Sequence, residues 1–208
     1  IAVSRSASAV AFGISGTALR NASAGVASFT GLGLFGETGD YTLTYSSGDL
    51  TTTSQTLRLT HGVATQIKIV DGSTRVLNGA EFGRSIATRI QDQDGNTVTT
   101  GSDATAIVTL TPSGATLTGT RSKRAGSGTA SFTDLVMTGE AGSKSITAST
   151  ATFTSAPYAV TLAAGAATKL VLTNPASGFV NRVPFSTQPT VTIQDSSGNV
   201  VANHNQSI

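Results

Sequence analysis

The sequence predicts an all-β protein of tandem Greek-key sandwiches, and three observations carry that prediction. Short runs alternate apolar and polar residues with the period of a strand, as in Ala64-Thr65-Gln66-Ile67-Lys68-Ile69-Val70. Turn signals rich in Gly, Asn and Asp interrupt these runs about every eight to twelve residues, the spacing of a sandwich. The chain also repeats itself: Gly-Val-Ala-Ser-Phe-Thr at Gly25–Thr30 returns as Gly-Thr-Ala-Ser-Phe-Thr at Gly128–Thr133, an offset of 103 residues. From Gly25 to Thr105 no gap is needed, and 24 of the 81 pairs are identical, so the repeat is one of whole domains rather than of a short motif.

Taken in order, Ala64–Val70 reads as a first strand with one wet face, and Asp71-Gly72-Ser73 through Leu77-Asn78-Gly79 as a loop. Ile86–Gln91 is a second strand. Asp92-Gln93-Asp94-Gly95-Asn96 is a turn, because Gly and Asn accept positive φ and Asp caps backbone N–H groups. Thr97-Val98-Thr99 resumes a strand, and Ala106–Thr111 forms the next, ending at Pro112. A short strand at Thr116–Thr118 precedes Gly119, and Arg121–Gly128 is a loop with the densest charge. Thr129–Leu135 alternates again, with Ala130, Phe132 or their neighbours facing in. Ser145–Ala148 and Tyr158–Leu162 complete a set of about seven strands, a sandwich's complement. No apolar stripe at helical spacing is present.

The repeat places module borders at Gly62 and Gly165. Residues 1–62 are then the C-terminal part of one module, 63–165 a complete module and 166–208 the N-terminal part of a third. The counterpart of Ala106 is next needed after Ile208, and Ile1-Ala2-Val3-Ser4 aligns with Ala106-Ile107-Val108-Thr109 at an offset of 105. The tail thus runs into the head, and 208 residues reads as one period of a longer array. Each border passes almost directly from a last strand into a first strand, so an extended rod with little hinge freedom is expected. Two such sandwiches in line span roughly 80 Å.

Composition narrows the function classes. Charged residues make up 12% of the chain and aromatic residues 5%, both low, while Thr, Ser, Ala and Gly dominate. That suits extended sheets with a neutral, hydroxylated surface. The net charge is +2, and the densest cationic cluster is Arg121, Lys123 and Arg124, of which the other copy keeps only Arg20. A nucleic-acid face needs a denser stripe with stacking aromatics, so no nucleic-acid partner is expected. There is no Cys, which excludes disulfides and thiolate chemistry. No apolar run approaches spanning length, so no membrane insertion of this segment is expected.

Several of these residues resemble a known repeat. Gln91-Asp92-Gln93-Asp94-Gly95-Asn96-Thr97-Val98, the strand Ile107-Val108-Thr109-Leu110, Gly128-Thr129-Ala130-Ser131-Phe132, and Ala141-Gly142 before Ser145-Ile146-Thr147-Ala148 are similar to the bacterial immunoglobulin-like repeat of invasin- and intimin-type surface proteins and large adhesins. Asp195-Ser196-Ser197-Gly198-Asn199-Val200-Val201 and Gly25-Val26-Ala27-Ser28-Phe29 match the same pattern in the other copy. The resemblance covers nearly the whole chain. It implies tandem Ig-like Greek-key sandwiches, one complete module flanked by two partial ones, at the cell surface or outside the cell. It carries no catalytic site.

The sharpest local feature is Asp92-Gln93-Asp94-Gly95-Asn96. Oxygens at alternate positions make Asp92, Asp94 and Asn96 candidate calcium ligands. The remaining ligands of a helix-loop-helix site are missing, and the second copy replaces Asp94 with Ser197, so a turn is the first reading and calcium the second. Asp71, Asp103 and Glu140 could serve calcium at a junction, with no motif behind them. His61 and His204 occupy non-equivalent positions without neighbouring partners, no Gly-x-Ser-x-Gly elbow is present, and Trp platforms for sugar are absent. The chain is therefore expected not to be an enzyme and to need no cofactor. Glu37 and Glu140, at matched positions, are expected to cap or ion-pair. Lys68, Lys144 and Lys169 lie on predicted strands without a Lys at the equivalent position, which favours solvent-facing lysines over isopeptide staples. Tyr41, Tyr45, Tyr158, Phe35, Phe153 and Phe179 read as core or cross-strand residues ahead of a binding patch.

The expected role is structural: a repeat of a long bacterial extracellular or cell-surface fibre or stalk. Its partners are neighbouring copies or modules of the same protein, head to tail, joined as one giant chain or by strand complementation. The alternative is an adhesin module that recognises a host protein, glycan or surface through loops such as Arg121–Gly128. Either assembly leaves core surface exposed in the isolated 208 residues.

Overall fold

The computed structural model describes residues 1–5 and 12–204, with no account given of the Arg5 and Phe12 side chains. The described residues are almost entirely strand, turn and loop, with a single 3-10 turn at Asp103–Thr105. One complete sandwich is flanked by two partial strand groups.

The first group holds β1 (Ala2–Arg5), β2 (Phe12–Ser15), β3 (Gly33–Gly36), β4 (Gly39–Ser46) and β5 (Thr53–Leu59). β4 lies between β1 and β5 in an antiparallel sheet, and β2 pairs with β3. The central sandwich holds β6 (Gln66–Asp71), β7 (Arg75–Leu77), β8 (Ile86–Gln91), β9 (Ile107–Ser113), β10 (Thr116–Thr118), β11 (Ser122–Arg124), β12 (Thr129–Phe132), β13 (Val136–Thr138), β14 (Gly142–Ser149) and β15 (Tyr158–Ala163). β16 (Lys169–Asn174) and β17 (Thr190–Gln194) form a final antiparallel pair.

Two sheets face each other in the sandwich, in orders β12-β8-β6 and β11-β9-β14-β15-β7, and β10 pairs with β13 beside them. The chain's first edge is shared between the sheets: β6 runs antiparallel to β8, while β7 runs parallel to β15. This is an immunoglobulin-like arrangement. Alternation decides which side chains meet. Ile67, Ile86, Ile90, Ala130 and Phe132 from one sheet pack on Val108, Leu110, Ile146, Ala148, Val160 and Leu162 from the other, all buried. Thr88 takes a core position too, and its hydroxyl donates to the Ala130 carbonyl, which removes the cost of burying it.

The strands at 86–91, 116–118 and 158–162 stand as the sequence predicts, while other expectations need correction. The segment 71–79 is not all loop, since β7 lies within it, and Arg121–Gly128 contains β11. Both strands are three residues long, and neither shows the alternation that marks 116–118. The strand at Ile107 does not end at Pro112 but runs to Ser113. Leu110 N–H donates to Arg121 at the last contact with β11, and alternate residues face the same side, so Pro112 falls where no partner needs its N–H. Thr97-Val98-Thr99 is no strand, only a bridge from Thr97 to Gln91 that buries Val98. β12 stops at Phe132, because the chain turns so that the Leu135 carbonyl accepts from Phe82 N–H.

The head of the chain also registers differently from expectation. Val3 pairs with Tyr45 as Leu110 pairs with Ala148, an offset of 107 rather than 105. The alignment of tail into head is therefore two residues short of the strand register.

Candidate functional site: the strand-group junctions

The five-residue turn after β8 sits where the central sandwich meets the first strand group. Gly95 closes it in the left-handed region at φ 88°, a conformation open to Gly without strain. The Asp92 side chain lies inside, 4% exposed. Its Oδ1 accepts from the N–H groups of Asp94 at 3.0 Å and Asn96 at 2.8 Å. Its Oδ2 accepts from Gly62 N–H at 2.8 Å and from Asn96 Nδ2 at 2.9 Å. The Gly62 bond ties the turn to the residue that ends the first strand group.

Asn96 reaches across the border. Its Nδ2 donates to the Gly36 carbonyl at 2.9 Å, and its Oδ1 accepts from Thr38 N–H at 2.8 Å. An amide presents one donor and one acceptor side by side, so it matches the backbone of the β3–β4 turn as a strand would.

The same bonds recur 103 residues later. Asp195 Oδ1 accepts from Ser197 and Asn199 N–H groups, and its Oδ2 from Gly165 N–H at 2.8 Å and Asn199 Nδ2 at 2.9 Å. Asn199 donates to the Gly139 carbonyl at 2.9 Å and accepts from Ala141 N–H at 2.6 Å, both in the β13–β14 turn. Gly198 takes φ 90°. Asn78 adds a further brace: its Nδ2 donates to Asp195 Oδ2 at 2.8 Å, and its Oδ1 accepts from Gly139 N–H at 3.0 Å.

Burial pushes the Asp92 and Asp195 carboxyls upward, but the donors outweigh it. The Asn96 amide and the N–H groups of Gly62, Asn96 and Asp94 hold Asp92 below the ordinary carboxylate value. Gly165 N–H, the Asn199 side chain and backbone, and Asn78 hold Asp195 lower still.

These facts place the three candidate ligands. Asp92 and Asn96 come together with their oxygens already occupied by N–H donors. Asp94 is exposed and offers its backbone N–H to Asp92 rather than its carboxylate to the cluster. A cation at this turn would have to displace those donors. The described residues contain no group of three or more His, Asp or Glu side chains arranged to hold a metal.

The other candidates are dispersed. His61 is not without a partner: its ring nitrogens lie 2.8 Å from the Gly62 carbonyl oxygen and 3.0 Å from Thr100 Oγ1. Ion pairs among the described residues are Arg58–Asp40 and Arg84–Asp71, so of the two roles expected for Glu37 and Glu140, capping or pairing, the ion pair is not seen there. The Glu37 carbonyl instead accepts from the Tyr41 hydroxyl. Lys68, Lys144 and Lys169 lie on β6, β14 and β16. Tyr41 is buried, and Tyr158 donates to the Gly72 carbonyl at 2.8 Å. Sequence reasoning placed borders at Gly62 and Gly165 but missed Gly36, Thr38, Gly139, Ala141 and Asn78 as their bonding partners. The signal was present, since Gly36, Gly62 and Asn78 are identical to Gly139, Gly165 and Asn181 across the repeat.

No family profile and no curated protein matches the sequence. Solved structures do. FdeC, an Escherichia coli adhesin, is 16% identical at a TM-score of 0.45, covering 97% of this chain and 64% of that one. A glycosyl hydrolase family 2 member from Bacteroides cellulosilyticus is 17% identical at 0.43, covering 60% of this chain and 17% of that one. The surface layer protein SbsC is 20% identical at 0.36 over domains 1–6, covering 79% of this chain and 20% of that one. The chain thus spans about a fifth or less of the glycosidases it resembles.

The expectation that the chain is not an enzyme is withdrawn on these comparisons. Glycosyl hydrolase family 2 members and β-glucuronidases stand among the similar structures, as does the adhesin. A missing catalytic constellation within 208 residues is no ground for excluding enzymes from the proteins that carry such β-domains.

Proposed function

We propose that these residues are a stiff spacer: a stretch of a bacterial extracellular or cell-surface fibre or stalk assembled end to end from Ig-like modules with borders at Gly62 and Gly165. One observation carries the reading, the recurrence of an Asp–Gly–Asn junction bond for bond after 103 residues. Each junction ties the turn after one strand pair both to the linker and to a turn of the preceding unit. A linker with one anchor bends, whereas one fixed at separated points does not. The likeness to invasin- and intimin-type repeats and to the FdeC and SbsC folds agrees with a surface location. No helix among the described residues is long and apolar enough to cross a membrane.

The recognition alternative rests on the charged segment Arg121–Gly128. Its cations are exposed, and two of them are engaged along the protein's own surface, with Lys123 donating to the Ser131 carbonyl and Arg124 to the Thr105 carbonyl. They also line β11, an outer strand, where charge discourages edge pairing. The spacer reading therefore stands first. Small-angle scattering on the 208-residue chain tests it: an extended particle of constant cross-section is expected, and a particle that samples bent and extended forms alike overturns it.

A further inference from the structure

We propose that Asn78-Gly79 is a deamidation site held in check by the second junction, so that opening of this junction is converted into a permanent covalent change. The inference rests on the bonds around Asp195 and not on the spacer reading.

Asn78-Gly79 is the one Asn-Gly pair in the sequence. Asn loses its side-chain ammonia most readily before Gly, because no Cβ hinders the approach of the next backbone nitrogen. The Gly79 nitrogen attacks Asn78 Cγ, a C–N bond closes a five-membered ring, and the Cγ–Nδ2 bond breaks. Nδ2 leaves as ammonia with the proton that the Gly79 N–H gives up. Water then opens the cyclic imide at either carbonyl, giving aspartate or isoaspartate. Water is the only co-reactant.

The folded chain keeps the two reacting groups engaged elsewhere. Asn78 follows β7 and is buried. Its Nδ2 donates to Asp195 Oδ2 at 2.8 Å and to Ser197 Oγ at 2.9 Å, and its Oδ1 accepts from Gly139 N–H at 3.0 Å. The Gly79 N–H, the nucleophile, donates to the Met137 carbonyl at 3.0 Å, and the Asn78 N–H to the Ala163 carbonyl at 2.9 Å. Ring closure needs the side chain to leave the turn after β17 and the nitrogen to leave β13. Only an open junction meets that condition, so the rate follows the population of the open form.

The backbone does not force this reactive pair on the chain. Gly79 lies at φ 76°, yet Arg182 at the equivalent position of the repeat holds φ 61°. A Cβ on Gly79 meets nothing within 4 Å.

The product cannot rebuild the junction. An acid at position 78 sets a second carboxylate against Asp195 where an N–H stood, and the two repel. Isoaspartate also adds a methylene to the backbone, which displaces the bonds to Ala163 and Met137.

Incubating the 208-residue chain in warm, mildly alkaline buffer, with peptide mapping by mass spectrometry, reads the change of amide to acid at position 78. The folded chain should lose the amide far more slowly than the same chain unfolded in urea. Asp195→Ala should lose it at least about tenfold faster than the native chain, because its junction is open more often. Adding Gly79→Ala to Asp195→Ala should remove that increase. Asn78→Asp, which mimics the product, should speed amide exchange in β16 and β17 while β8, β9 and β14 keep their protection. A folded chain that reacts as fast as the unfolded one, equal rates in Asp195→Ala and the native chain, or unchanged hairpin exchange in Asn78→Asp overturns the inference. Should Asp195→Ala not fold, low concentrations of urea on the native chain decide. Amide loss that rises with hairpin exchange supports the site, and loss that rises only with unfolding of the central sandwich overturns it.

Discussion

The Gly165 backbone N–H donates to Asp195 Oδ2 at 2.8 Å across the border between the central sandwich and β16. Removing that carboxylate strands the donors of Gly165, Asn78, Ser197 and Asn199 together. Asp195→Ala should therefore cost the hairpin on the order of 3 kcal/mol. Amide exchange should accelerate in β16 and β17 while β8, β9 and β14 keep their protection. Unchanged exchange in the hairpin would reject the clamp.

Asn96→Ala and Asn199→Ala should loosen orientation more than stability. Each removes the bridge to the preceding turn but leaves the Asp–Gly bond in place, at about 1–2 kcal/mol. Spin labels on β4 and β14 should give a distance distribution that broadens in Asn96→Ala, with the central sandwich melting as before.

Gly62 and Gly165 hold equivalent positions but should respond differently to Ala. A Cβ on Gly165 lies 2.1 Å from the Asn78 carbonyl oxygen, a backbone atom that cannot swing away. A Cβ on Gly62 meets Asp92 at 3.6 Å, ordinary contact. Gly165→Ala should destabilise by roughly 3 kcal/mol and Gly62→Ala by less than about 0.5 kcal/mol in thermal unfolding.

Acid should release both junctions only at low pH. The folded carboxyls of Asp92 and Asp195 lie below the unfolded value, so their contribution is complete above it and is lost as pH falls through the folded range. Stability from these groups should be flat from pH 7 to about 5 and decline below about 4, and Asp195→Asn should flatten that decline. A transition centred near neutral pH would contradict the assignment.

Phe132 and Phe29 occupy matched places in the repeat with different cover. Phe132→Ala should cost about 3–5 kcal/mol, the usual loss for a buried aromatic. Phe29→Ala, at a half-buried ring 6.1 Å from Tyr45, should cost clearly less in the isolated chain.

Much of the sandwich was legible from period two alone, because β8, β12, β14 and β15 each carry an inward apolar series that only one register can bury. β7, β11 and β13 were not legible. They lack the polar–apolar–polar alternation that marks the equally short β10, and their strand character comes from partners far away in sequence, as β7 takes its from β15. At Asp92–Asn96 the carboxylate accepts backbone N–H groups within the turn, while the reach of Asn96 to Gly36 and Thr38 has no signal in the turn's own sequence. A side-chain amide that bonds a neighbouring unit leaves the same letters as one that closes its own turn. The repeat holds a clue in the paired glycines Gly62 and Gly165, whose N–H groups both face a buried carboxylate.

Because Asn96 and Asn199 grip both a carbonyl and an N–H of the turn behind them, the junction has a sense of rotation as well as a direction. A torque applied at one unit is passed to the next instead of being dissipated in a swivel. If the proposed array is real, the same grip at every border would hold each unit at one fixed turn relative to the last, and a mark on the face of each would trace a regular screw.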